Sequence, residues 1–185
     1  MLAIIAIAGL VCLVVAAVLR RRLGATTAVA LAGLLWSLVV IGAITLIPAN
    51  GAPGIVPARV HPSSCSWDIG GPAPSGFWIF SGGQRLLNTL VFVPSGALLV
   101  LAAARWRAAW VLVPAGFVLL AAYSAGIEAT QLVLARLDRA CDVTDVIDNV
   151  TGAAAGVVLG VVPAVVLRPW RHRHRQASGP GGDRG

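Results

Sequence analysis

The chain has 185 residues, of which 58% are hydrophobic and only 11% are charged. A soluble domain carries about 25% charged residues, so this composition excludes an ordinary soluble protein and predicts a helical membrane domain. All fourteen basic residues are Arg, and they exceed the acidic residues by seven. Because the Arg residues stand at the ends of apolar blocks, their charge indicates membrane topology and not a nucleic-acid partner.

The first two apolar blocks predict two membrane-spanning helices, over residues 2–19 and 28–47. Arg20–Arg22 follow the first block, whereas a cleaved signal peptide has its positive charge before the apolar stretch. We therefore expect a retained helix. Pro48 ends the second block because proline removes a backbone donor, and residues 48–83 form a long loop rich in Pro, Gly and Ser.

Three further blocks complete the predicted membrane domain. They cover residues 86–104, 108–135 and 143–167, and each is long enough to cross about 30 Å of hydrocarbon. A short loop, residues 136–142, joins the last two spans. The sequence thus predicts an all-α bundle of about five transmembrane helices.

The distribution of Arg predicts how this bundle is oriented. With five spans, ten of the fourteen Arg residues fall on the same side of the membrane, which should be the cytoplasm. The N-terminus is then outside, the C-terminus is inside, and the loop 48–83 is extracytoplasmic. We expect one membrane domain over residues 1–175 and a disordered cytoplasmic tail over residues 176–185.

Two of the three cysteines lie in the predicted outer loops. Cys65 belongs to the long loop and Cys141 to the short one, and both therefore face an oxidising compartment in which disulfides persist. We predict a Cys65–Cys141 disulfide, with two unpaired thiols as the alternative. Cys12 lies within the first span and is interpreted as a small packing residue.

Polar side chains gather near the outer ends of three predicted spans. An ionisable group at the centre of a spanning helix costs roughly 2.5–3.5 kcal/mol and usually marks a function. Glu128 and Asn149 each lie about 12 Å below the short loop, given the helical rise, and Arg85 and Asn88 begin the third span. We predict one polar pocket lined by Arg85, Asn88, Glu128, Gln131, Arg136, Asp142, Asp145 and Asn149.

The fifth predicted span carries a single stripe along one helix face. Steps of three or four residues connect its members, which are Asp142, Asp145, Asn149, Gly152, Gly156 and Gly160. The glycines form a GxxxGxxxG pattern, which lets a neighbouring helix approach closely.

A purely structural interpretation of the same polar residues stays open. In that interpretation they pair across helices and bind nothing. Arg85 or Arg136 would pair with Asp145, and Glu128 would pair with Asn149.

One ordered set of residues resembles the VanZ-like family. It consists of Asn88 with Pro94-x-Gly96, Glu128-x-x-Gln131, and then Arg136, Asp142, Asp145, Asn149 and Gly152. The resemblance covers roughly residues 36–160. It implies a multi-pass protein of the bacterial plasma membrane, because the family's members are bacterial envelope proteins. It also implies a theme, since the family's namesake is associated with low-level resistance to the glycopeptide teicoplanin.

We expect the predicted pocket to bind an amphipathic envelope molecule, such as a lipid-linked cell-wall precursor or a lipoglycopeptide antibiotic. An alternative is a membrane enzyme that modifies a lipid or envelope precursor through Glu128 and Asp145. Because no histidine lies at the site, a Ser-His arrangement is excluded, and binding is favoured over catalysis. Another alternative is an accessory subunit whose glycine face packs on a larger membrane partner. We expect membrane lipids as partners and neither a cofactor nor a bound metal.

Overall fold

The computed structural model describes residues 1–47, 64–67, 69, 83–133 and 141–167, apart from the side chain of residue 84. These residues form five long helices: α1 (Leu2–Leu23), α2 (Ala25–Leu46), α3 (Gly83–Ala103), α4 (Ala109–Val133) and α5 (Val143–Leu167). All five are long and apolar enough to cross a membrane. The prediction of an all-α membrane bundle with five spans is confirmed, while its orientation stays a prediction.

The connections define two ends of the bundle. Ser66 pairs with Asp142, so the long loop meets the start of α5 at one end, which we call the disulfide end. At the other end, which we call the arginine end, α1 turns into α2 at Gly24, and α3 turns into α4 through residues 104–108. Gly24 has a φ of 78°, a conformation that costs glycine little because it has no Cβ. This residue allows the connection between α1 and α2 to be a single residue long.

The core lies between α2, α3, α4 and α5. Its buried apolar side chains are Ile41, Phe92, Leu99, Leu120, Ile127 and Ala153. By contrast, α1 packs mainly against α2 and buries only Ala16. The remaining surface of α1 is apolar and exposed, as expected for a helix that faces lipid on most sides.

The closest helix pair is α3 with α5, which run parallel from the disulfide end. A Cβ atom on Gly152 would collide with the carbonyl oxygen of Thr89, and one on Gly156 would collide with that of Val93. On Gly160, a Cβ would lie 2.7 Å from the carbonyl oxygen of Ala97. The prediction that this glycine face packs against a neighbouring helix is therefore confirmed.

The glycine face is consequently occupied within the chain itself. Gly96 of α3 completes the contact, because a Cβ there would collide with the carbonyl oxygen of Ala153 on α5. Because α3 already covers these glycines, the accessory-subunit alternative stays a prediction without support from this face. A partner would have to bind another surface.

Candidate functional site

A bidentate ion pair joins α3 and α5 one turn inside the disulfide end. Nε of Arg85 donates to Oδ2 of Asp148, and Nη2 donates to Oδ1, both at 2.9 Å. The two side chains are 12% and 9% exposed. A pair of parallel charge-assisted hydrogen bonds is stronger and more directional than a neutral one, so this pair holds the first turns of both helices together.

The ion pair and the glycine contacts share one helix register. Arg85 and Asp148 are 63 residues apart, and the same separation relates Thr89 to Gly152 and Val93 to Gly156. Each step of four residues along both helices therefore repeats the pairing. Asp148 belongs to the face of α5 that meets α3, and the GxxxG spacing extends back to it.

Two buried donors beside this pair have no hydrogen-bond partner among the described residues. They are Nη1 of Arg85 and Nδ2 of Asn88. These residues are three apart on α3, so their side chains lie on the same helix face. Buried donors without partners are rare in folded proteins and call for an explanation such as a bound molecule or ion.

Glu128 lies at the start of α5, although it belongs to α4. Its Oε2 accepts a hydrogen bond of 3.1 Å from the backbone N–H of Asp142, and the side chain is only 4% exposed. The side chain of Asp142 in turn accepts from the N–H of Thr144 at 2.8 Å, which is the bond an N-cap makes. Both carboxylates accept from N–H groups at the N-terminal end of α5, where the positive end of the helix dipole also stabilises negative charge.

Asn149 and Gln131 contact different helices. Nδ2 of Asn149 donates to Oγ of Ser124 on α4 at 2.9 Å, and both side chains are buried. Nε2 of Gln131 donates to the carbonyl oxygen of Thr45 at 3.1 Å, so Gln131 points towards α2 and not α5. These polar side chains form a layer at the disulfide end that connects four helices, and we call it the polar layer. Its described members are Arg85, Asn88, Ser124, Glu128, Gln131, Asp142, Asp145, Asp148 and Asn149.

The structural interpretation of the sequence offered Arg85 or Arg136 as a partner of Asp145, and Glu128 as a partner of Asn149. The structure shows Arg85 bonded to Asp148 and Asn149 bonded to Ser124. Asp145 lies in the first turn of α5, close enough for its charge to stabilise that of Arg85. Arg136 lies outside the described residues.

Two residues of this layer, Asp148 and Ser124, are absent from the set predicted from the sequence. Asp148 stands four residues before Gly152, so an extension of the GxxxG spacing would have found it. Ser124 stands four residues before Glu128 and hence on the same face of α4.

The described charges at this end are unbalanced. Arg85 is the one described basic side chain there, and four described acidic side chains lie at the same end, on Glu128, Asp142, Asp145 and Asp148. Across the described ranges, no three His, Cys, Asp or Glu side chains are grouped so as to hold a metal ion. Among the described residues, the site therefore combines buried donors with several carboxylates.

A disulfide lies directly beside the site, at the start of α5. Cys65 and Cys141 are bonded, with their Cα atoms 4.6 Å apart, and the predicted disulfide is confirmed. Ser66 lies against the start of α5, because its N–H donates to the carbonyl oxygen of Cys141 and its carbonyl oxygen accepts from the N–H of Val143. Cys141 directly precedes Asp142, so the disulfide fixes the backbone that Glu128 binds.

Comparison with known proteins gives a single result. Neither the curated proteins nor the solved structures contain a match to this chain. The sequence model of the VanZ/LLP1 family matches residues 3–164, which include all five helices up to the last turn of α5. The match confirms the resemblance that the polar residues indicate, and the chain belongs to the VanZ/LLP1 family.

Proposed function

We propose that the polar layer at the disulfide end binds the headgroup of an amphipathic envelope molecule whose tail stays in the bilayer. The observation that carries this proposal is the pair of buried donors on Arg85 and Asn88 that find no hydrogen-bond partner in the described part of the chain. Leaving a buried donor unpaired costs about 1–3 kcal/mol. A ligand oxygen that accepts from both donors would recover this free energy.

The surrounding groups define the chemistry of the headgroup. An Arg guanidinium and a neighbouring amide suit a phosphate, carboxylate or sugar oxygen. The carboxylates of Asp142 and Asp145 suit a group that donates, such as a sugar hydroxyl or an amine. A headgroup with both kinds of group fits best, and a lipid-linked cell-wall precursor or a lipoglycopeptide has both.

The position of the disulfide supports an outward-facing site. Disulfides persist in oxidising compartments, and Cys65–Cys141 lies directly beside the polar layer. The positive-inside rule supports the same orientation, because Arg20–Arg22, Arg105 and Arg107 are at the opposite end. We therefore assign the protein to the bacterial plasma membrane, with this site in its outer leaflet.

Asn88→Ala tests the proposal because it removes one unpartnered donor and no charge. The purified variant should retain several-fold less of the copurifying amphipathic molecule than the parent chain, as measured by mass spectrometry. One hydrogen bond contributes about 0.5–1.5 kcal/mol, which corresponds to a change of roughly two- to tenfold. The matched control is Thr151→Ala, since Thr151 is exposed and its hydroxyl bonds only to its own helix at Ile147.

Equal lipid retention by Asn88→Ala and Thr151→Ala would refute the proposed site. Glu128→Gln provides a test in cells, because it keeps an oxygen for the N–H of Asp142 and removes the charge. We expect this variant to reduce tolerance of envelope-directed antibiotics, where the parent chain confers any, at unchanged expression. If Asp145→Asn still retained the bound molecule but no longer converted it to a product, the enzymatic alternative would be favoured instead.

A further inference from the structure

The contacts between α2 and α4 are concentrated near the disulfide end. The hydroxyl of Tyr123 donates to the carbonyl oxygen of Leu38 at 2.7 Å, and Gln131 donates to that of Thr45. Both bonds lie in the second half of each helix. Towards the arginine end, a cleft is lined by residues of α2, α3 and α4.

The cleft has a volume of about 450 Å³, within the range of about 300–1,000 Å³ typical of small-molecule sites. Its lining is almost wholly apolar and comes from α2, α3, α4 and the turn between the last two. The floor is formed by the buried residues Leu99, Ala102 and Ala103 of α3. Alanine at these positions leaves room that a larger side chain would fill.

The mouth of the cleft carries positive charge. Trp106 and Ala108 line it, and the two residues alternate in sequence with Arg105 and Arg107. The guanidinium of Arg105 reaches the α1–α2 turn, where Nη1 lies 3.7 Å from the position that a Cβ on Gly24 would take. Arg20–Arg22 end α1 at the same turn.

No carboxylate among the described residues offsets this charge, since all four described acidic side chains lie at the disulfide end. An apolar cleft that opens in the membrane below a cluster of Arg residues complements an anionic lipid. Basic pockets between transmembrane helices bind such headgroups, and each Arg near the membrane surface contributes about 1 kcal/mol.

We propose that this cleft is a binding site for an anionic diacyl phospholipid of the surrounding bilayer. One acyl chain lies between α2 and α4, and the phosphate binds Arg107 and Arg105 at the mouth. The site is distinct from the polar layer, because the two lie at opposite ends of the bundle. It does not depend on the function proposed for that layer.

The test is a titration of the purified full chain in neutral detergent with phosphatidylglycerol, and with phosphatidylcholine that has the same acyl chains. Native mass spectrometry counts the bound lipid. The parent chain should prefer phosphatidylglycerol, and Arg107→Gln should weaken that binding about fivefold. Arg21→Gln is the matched control, because it removes the same charge from an exposed residue that lies at the same end but belongs to α1, which contributes no residue to the cleft lining, whereas Arg107 stands between the lining residues Trp106 and Ala108.

Ala108→Leu tests the acyl-chain half of the proposal, since Ala108 is an exposed residue of the lining. A larger side chain in the cleft should weaken the binding of both lipids by about fivefold or more. Equal losses in Arg21→Gln and Arg107→Gln would overturn the proposal in favour of diffuse attraction to anionic lipid. Undiminished binding by Ala108→Leu would show that the chain does not enter the cleft.

Discussion

Replacing Gly156 by Ala should destabilise the bundle through one added methyl group. The new Cβ would collide with the carbonyl oxygen of Val93 and would lie 3.0 Å from the backbone nitrogen of Ala97. Both obstacles are backbone atoms of α3, so no side-chain rotation can relieve the contact. Either α3 and α5 move apart or the contact stays strained, and overpacking of this kind costs roughly 1–3 kcal/mol.

Gly126→Ala is the matched control for this substitution. Gly126 is an exposed residue inside α4, and a Cβ there would meet nothing within 4 Å. Both variants exchange a helical glycine for alanine, so the gain in helix propensity of about 0.5–1 kcal/mol is common to both. The difference between them isolates the cost of the collision with α3.

Thermal unfolding in a fixed detergent measures that difference. For a chain of this size, about 1 kcal/mol corresponds to 2–4 °C in Tm, so Gly156→Ala should melt roughly 2–12 °C below Gly126→Ala. Gly160→Ala should fall between the two, because the nearest atom to its Cβ is 2.7 Å away. Equal melting temperatures for Gly156→Ala and Gly126→Ala would refute the close parallel packing of α3 on α5.

Three further predictions concern the ion pair, the disulfide and the topology. Arg85→Met should lower the free energy of unfolding, measured by denaturant titration, by about 3–5 kcal/mol because it leaves the buried carboxylate of Asp148 unpaired. Adding Asp148→Leu should recover most of that loss. A double variant no more stable than Arg85→Met would contradict this. Peptide mapping of protein prepared without reductant should recover Cys65 linked to Cys141, and free thiols at both positions would contradict the bond. Reporter fusions should place residue 60 outside the cell and the C-terminus inside, whereas finding both on one side would contradict five spans.

The five helices and the disulfide could be predicted from the sequence because the physical signals are local. A span needs about 20 consecutive apolar residues, and Pro or Arg after such a block marks its end. The predicted and observed bounds of α5 coincide at residues 143–167. Cys65 and Cys141 could be matched because each lies in a loop at the same end of the bundle.

The glycine face was also a local signal, since a spacing of four residues puts Gly152, Gly156 and Gly160 on one side of α5 whatever the neighbouring helix is. That α3 is this neighbour, in a register of 63 residues, depends on how two separate helices are rotated and shifted against each other. One helical position changes the direction of a side chain by about 100°. Sequence spacing therefore offered Asp145 as a partner of Arg85 or Arg136, whereas the packed helices bring Asp148 to Arg85.

The same contrast, between spacing along one helix and the packing of separate helices, applies to the remaining contacts of the site. Counting residues along each helix put Glu128 at the depth of Asn149, whereas in the structure Glu128 bonds to the N–H of Asp142 at the start of α5 and Asn149 bonds to Ser124. Contacts between helices far apart in sequence decide three further features. They set the direction in which Gln131 points and the burial of Ser124 against Asn149, and they form the apolar cleft among α2, α3 and α4. The sequence by itself determined the membrane spans and several members of the polar layer, and only the tertiary packing brought in Asp148 and Ser124 and decided which members meet.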